Sequence, residues 1–440
     1  MNLTGYLVLL CLAAAVTSLP AQGIEEYEQA PVSYSTTQAH DATQALEAKL
    51  AAGKLVLPPD DKATVRTLLS ELNVPVESQV IVFSKTSLQR GLIAPKHPRA
   101  IYFNDDCYIG WVPGGLMEVC SFDPELGPVF YTFDPRPLAK PESPRFKRDN
   151  DCLSCHGGSF VRGIPGVFVR SINTDENGDP LLQFGSKVVD HTTPFKERWG
   201  GWYVTGTHGN STHQGNVFAQ TKDRELIVDY TKGANITDLS RFFPVQTLLT
   251  DSSDIVALLI LEHQTAMHNS LTRAGYNTRR MLAYQESVQR DLKEPVTNEP
   301  SYESVKRVFD SAAQDVLDHL LYKDEATLPD DGVKGSSAFQ KTYEQGGIRT
   351  LDGRSLRDLR LDRYLFKHRC SHLIYSAQFL ALPPALKERI YTRLAKALDR
   401  DNPEPRYDYL SKQERIAITE ILQETHPDLK TVWQKQTAAR

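Results

Sequence analysis

Cysteine and methionine are scarce: six Cys and four Met in 440 residues. Long apolar runs are short as well. Leu7 to Val16 is a run of ten, too brief to span a bilayer comfortably. There is no excess of basic charge. The net charge of −5 argues against nucleic acid as a partner. No internal repeat period is present, which excludes a solenoid reading. Hydrophobic content of 40% and charged content of 24% belong to an ordinary soluble chain. The length allows one large domain or two smaller ones, each with a sizeable core.

What the chain does hold is Asn150-Asp151-Cys152-Leu153-Ser154-Cys155-His156-Gly157-Gly158. Two thiols three positions apart, followed at once by an imidazole, form the attachment pattern for c-type haem. Each thiol adds to one porphyrin vinyl group, and the adjacent His156 then meets the iron as proximal ligand. Random placement of this chain's Cys and His yields roughly 0.002 such matches. The competing readings are a redox Cys-x-x-Cys and half of a zinc site. Zinc would want a second Cys/His pair at similar spacing, and none stands out.

The apolar run Leu7 to Val16, followed by Leu19-Pro20-Ala21, reads as a secretion signal cut ahead of Gln22, although no Lys or Arg precedes the run. Cys11 is not a lipoprotein site, because Leu10 before it is not small. Haem c is attached outside the cytoplasmic membrane, so signal and motif support each other. Of the remaining thiols, Cys107 and Cys120 fall in neighbouring expected strands and could bridge, leaving Cys370 as a buried free thiol.

Residues 22–60 are polar and mixed and read as a flexible lead-in, with one short helix from Asp41 to Ala52. Residues 62–75 form a helix. Strands follow at 79–83, 99–103, 107–112, 116–122 and 129–133, with turns at 104–106 and 113–115. The Gly-rich text after His156 places the motif on a loop inside a larger fold. Strands at 167–172 and 181–184 flank the Asn177-Gly178 turn. Residues 190–220 concentrate His, Trp and Gly, and there Arg198 or Lys196 could pair with haem propionates. Helices are expected at 254–286, 302–322, 355–366, 370–380, 384–398 and 411–425, with a loop at 326–352.

The far side of the iron has several candidates. Val256, Ile260, His263, Met267 and Leu271 share one otherwise apolar helix face, with His268 a quarter-turn away. His263 or Met267 there would suit an electron carrier. His208 and His213 compete as distal ligands or as acid–base groups over an open iron. His368 and His372 are four apart, as in some helical metal sites, but no third ligand is obvious.

Several stretches carry a resemblance: 82–89, Tyr102 to Asp106, Cys152 to His156, Glu197 to Gly206, Glu262 to Asn269, and Tyr375-Ser376 ahead of Leu382-Pro383-Pro384. From about residue 78 to about 430 the chain resembles exported bacterial proteins described as cytochrome c domain-containing. That resemblance implies one covalent haem c at Cys152 and Cys155 with His156 as iron ligand, and it implies no particular reaction. It is not the small all-α cytochrome c: Met267 comes 111 positions after His156, and Met117 precedes the motif.

The resulting expectation is an α+β protein. A signal peptide (1–21) and the lead-in (22–60) precede a β-rich haem-attachment region (61–250), and a mostly helical region (251–430) packs on it. The expected function is haem binding and one-electron transfer by a periplasmic or secreted bacterial cytochrome. Its partner is a redox protein or a small-molecule electron donor or acceptor. It meets a membrane only through the N-terminal segment if that is uncleaved. The alternatives are a haem oxidoreductase with an open iron acting on a small ligand such as peroxide, and an envelope protein with a structural haem.

Overall fold

The structure is a computed structural model describing residues 25–136 and 145–438. The expected signal peptide (1–21) and Cys11 lie outside the described residues. A seven-stranded antiparallel sheet dominates the first half. Its strands are β1 (Val80–Val82), β2 (Arg99–Phe103), β3 (Cys107–Trp111), β4 (Met117–Asp123), β5 (Gly127–Phe133) and β6 (Phe146–Arg148). Between β6 and the last strand come the one-turn helix α3 (Leu153–His156) and a two-stranded ribbon of β7 (Val169–Ser171) with β8 (Lys187–Val189). Strand β9 (Trp202–Tyr203) then closes the sheet, in the order β6-β5-β4-β3-β2-β1-β9.

Both sheet faces are covered, which is why these strands read as nearly continuous apolar runs. One face presents Tyr102, Ile109, Trp111, Val119 and Tyr131 to α1 (Ala42–Ala51) and α2 (Asp61–Glu71). Asp41 and Asp60 cap these helices by accepting from Gln44 N and Ala63 N. The other face presents Val80, Phe103, Tyr108, Phe122 and Phe130 to the first turns of the long helix α4 (Ile255–Asp291) and to the motif segment. Further along α4, Met267 and Leu271 enter a separate helical core. That core is shared with α5 (Glu303–Leu320), α8 (Pro384–Ala397) and α9 (Lys412–Thr425). The α+β class therefore holds, strand-rich first and helical second. No helix among the described residues is long and apolar enough to cross a membrane.

Several expectations need correction. The lead-in from residue 25 onward is packed rather than flexible. Tyr27, Val32, Tyr34 and Leu46 are buried, Tyr34 Oη donates to Pro128 O at 2.8 Å, and Tyr131 Oη donates to Asp41 at 2.6 Å. These anchors are single residues in polar text, so no periodicity betrays them. Cys107 and Cys120 do not bridge. Cys107 pairs with Ser121 and Cys120 with Tyr108, a one-residue offset that sends the two thiols to opposite faces.

Residues 181–184 do not form a strand. Leu182–Phe184 is a 3-10 turn, and the partner of β7 lies further on. The expected loop at 326–352 contains α6 (Ser337–Gln345), capped by Ser336. Residues 355–366 form a tight turn instead of a helix: Arg360 N donates to Leu365 O, and Leu361 has a φ of 64°. The helix expected at 370–380 breaks into a 3-10 turn, His372–Tyr375, and the short α7 (Ala377–Leu380).

Candidate functional site at the Cys-x-x-Cys-His turn

The motif occupies one helical turn. A 3-10 turn, Asn150–Cys152, runs directly into α3, and Gly157 ends it by donating to Leu153 O at 2.8 Å. Positions i, i+3 and i+4 of a helical turn share a side, so Cys152, Cys155 and His156 are presented together. Cys155 is exposed and Cys152 is half-buried. Burial, helped by Asp149 and Glu118, pushes the Cys152 thiol up to about 12. A redox Cys-x-x-Cys needs a lowered thiol pKa, so this environment opposes that reading. Among the described residues no group of three or more His, Cys, Asp or Glu side chains is arranged to hold a metal ion by itself.

His156 is held by a short chain of contacts. Its Nδ1 lies 2.8 Å from Gly166 O and must donate to that carbonyl, while Gly166 N donates to His156 O at 2.8 Å. The next residue is gripped from α4: Asn269 Oδ1 accepts from Val167 N at 2.9 Å, and Asn269 Nδ2 donates to Val167 O at 2.6 Å. Phe130 and Phe168 flank the ring, with centroids at 4.8 and 5.2 Å. Burial pushes the imidazole pKa down, against the pull of Gly166. The neutral tautomer protonated at Nδ1 leaves Nε2 as the available lone pair, the arrangement a metal-ligating histidine takes. Around it Phe160 is 40% exposed and carries Arg170 on its ring at 4.7 Å. Two thiols and an imidazole whose Nδ1 is spent on a carbonyl make up the donor set that a haem c requires.

The distal candidates are not brought to His156. His263 spends both ring nitrogens elsewhere: Nε2 meets Ser371 Oγ at 2.8 Å and Nδ1 meets His191 Nδ1 at 3.4 Å. Its ring stacks on Tyr322 at 3.9 Å. Met267 is fully buried in the helical core. His208 and His213 pair with each other at 4.9 Å, walled by Phe195. There His208 Nε2 accepts from Asn235 N and His213 Nδ1 accepts from Gly215 N.

Arg198 is not free for a propionate. It forms a buried ion pair with Glu262 at 2.5 Å and donates to Thr193 O at 2.8 Å. His368 and His372 share no helix. His372 instead joins Asp105 and Tyr343, each at 3.1 Å, behind a cavity of about 300 Å³ between Phe103, Phe339 and Arg357.

Sequence reasoning missed Asn269, Gly166 and a charged pair, Arg99 with Glu118. One signal was present. Gly110 interrupts a strand, and a strand glycine often marks a close approach; here the Arg99 guanidinium lies where its Cβ would be. Compared with known proteins, the chain matches no protein-family model, no curated protein and no solved structure. The resemblance drawn from the sequence rests on its quoted motifs alone.

Proposed function

We propose that the chain is an exported mono-haem c-type cytochrome, with haem joined to Cys152 and Cys155 and ligated by His156. The observation that carries this reading is the His156 Nδ1 bond to Gly166 O, which reserves Nε2. A haem held there supplies a one-electron iron couple. The protein's own contribution is positioning. Asn269 fixes the Gly166–Val167 peptide, that peptide fixes the imidazole, and Phe130 and Phe168 pack against the ring. Cys155 and Phe160 leave an exposed edge at which a redox protein or a small electron donor or acceptor can approach. Export is proposed through residues 1–21, and N-terminal sequencing of the secreted form should begin at Gln22.

A second reading is favoured by one observation. Three of the four distal candidates, His208, His213 and His263, already engage ring nitrogens in hydrogen bonds within the protein. That supports a haem oxidoreductase whose iron keeps an open position for a small ligand. The spectrum of the oxidised, haem-loaded protein separates the two. A six-coordinate low-spin spectrum supports the electron carrier, and a five-coordinate high-spin spectrum supports the open site.

A further inference from the structure

Arg99 and Glu118 lie on the sheet face that bears the motif. Arg99 opens β2, Glu118 is on β4, and Gly110 of β3 sits between, paired with Ile101 on one side and Glu118 on the other. The two side chains form an ion pair and are only 17% and 15% exposed. The guanidinium crosses β3 over Gly110, where any Cβ would overlap it. The pair is therefore built on a residue without a side chain. It is also incomplete: Arg99 Nε and Glu118 Oε1 are buried without a hydrogen-bond partner. An unmatched buried donor and acceptor are costly, so a pair present for packing alone would be expected to close both. The pair also connects to the motif. Glu118 pairs across the sheet with Thr132 of β5, whose hydroxyl donates to Asp149, the cap of the turn that carries Cys152, and on the same face of β5 Phe130 flanks the His156 ring.

We propose that the Arg99–Glu118 pair sets the reduction potential of the haem held by Cys152, Cys155 and His156. The inference rests on the haem reading of that site. Its physics is that of opposed charges in a poorly screened place. A cation near the iron favours the reduced state, which carries one positive charge fewer, and an anion favours the oxidised state. With both present the two effects oppose each other, and the potential follows the difference between them. Neither residue is proposed to touch the reacting atoms, so both are positioning residues for the couple.

Spectroelectrochemical titration of the haem-loaded full chain tests this with Arg99→Gln, Glu118→Gln, the double variant and Gly110→Ala. Arg99→Gln should lower the midpoint potential and Glu118→Gln should raise it, with the double variant between them. Gly110→Ala, which keeps both charges but displaces the guanidinium, should shift in the direction of Arg99→Gln. Two single substitutions that shift the same way, or leave the potential unmoved, overturn the proposal. A loosened haem pocket would produce the former. A readout without haem guards against variants that fail to load. In haem-free full chain carrying Cys155→Ser, the pH profile of Cys152 alkylation should move up with Arg99→Gln and down with Glu118→Gln. An unmoved profile sinks the charge pair alone, whereas wild-type protein that never binds haem sinks the haem reading and this inference together.

Discussion

Cys155 is exposed, while Cys152 is half-buried with its thiol pushed up to about 12. Under the proposed reading each contributes one thioether, so the two should be separable by substitution. Cys155→Ala, matured with the wild type, should keep pigment on the protein through Cys152, and its pyridine haemochrome band should move to the red because one vinyl group is restored. An unmoved band would mean that Cys155 forms no bond to the porphyrin. Gly110 is the other residue at which one atom decides the outcome. A methyl there must displace the Arg99 guanidinium, and overpacking of this kind typically costs about 1–3 kcal/mol. Urea unfolding of Gly110→Ala should register that loss, and unchanged stability would show that the guanidinium has somewhere else to go.

Among the elements, α4 links the two halves of the protein. Its first turns pack on the sheet, Asn269 grips the motif loop, and Met267 and Leu271 face the helical core. Asn269→Ala removes both bonds to Val167. Leaving a buried peptide unmatched typically costs about 1–3 kcal/mol per group, so a clear loss in unfolding free energy is expected. A merely structural role would stop there. Positioning predicts in addition that nitrogen shifts of His156 in the haem-free protein drift from the Nδ1–H tautomer towards a mixture. A variant that is less stable but keeps a pure Nδ1–H imidazole would contradict it.

Much of this scale is legible in the sequence. The strands from β1 to β5 and the helices α4, α5, α8 and α9 follow from apolar period, and Asp41 marks the start of α1. The motif itself is legible because its spacing is dictated by covalent chemistry. Where reading failed, side chains at helical spacing were placed by a turn. Leu356, Leu359, Leu365 and Phe366 are buried in residues 355–366 without forming a helix. The apolar face of α4 misled in another way. His263 is fully buried there, yet it answers Ser371 and His191, contacts that arise from segments far apart in the chain.

At the scale of the whole molecule, buried histidines set the response to acid. Burial pushes His191 and His268 down to about 4 and His213 to about 3, and it lowers His263 well below its ordinary range. The unfolded chain takes up these protons near pH 6.5, but in the folded chain His191, His268 and His213 resist until about pH 3–4. Their contribution is therefore intact above pH 6.5 and is lost as pH falls, by about 1.4 kcal/mol per pH unit for each histidine. Glu262 and Glu325, pushed up to about 7 by burial, and Asp254, pushed up to about 6, work in the opposite sense over part of that window. The histidines outnumber them. The melting temperature should fall steadily from pH 6.5 to pH 4.5, and a flat profile would mean that these imidazoles gain water or partners on protonation.

The central claim is a porphyrin bound covalently to the Cys152–His156 turn, and acid–acetone extraction of protein matured in a host that attaches haem c tests it most directly. The account predicts that the pigment stays with the precipitated polypeptide and vanishes in a Cys152→Ala/Cys155→Ala double variant. Pigment that passes into the solvent, or wild-type protein that carries none, would contradict it.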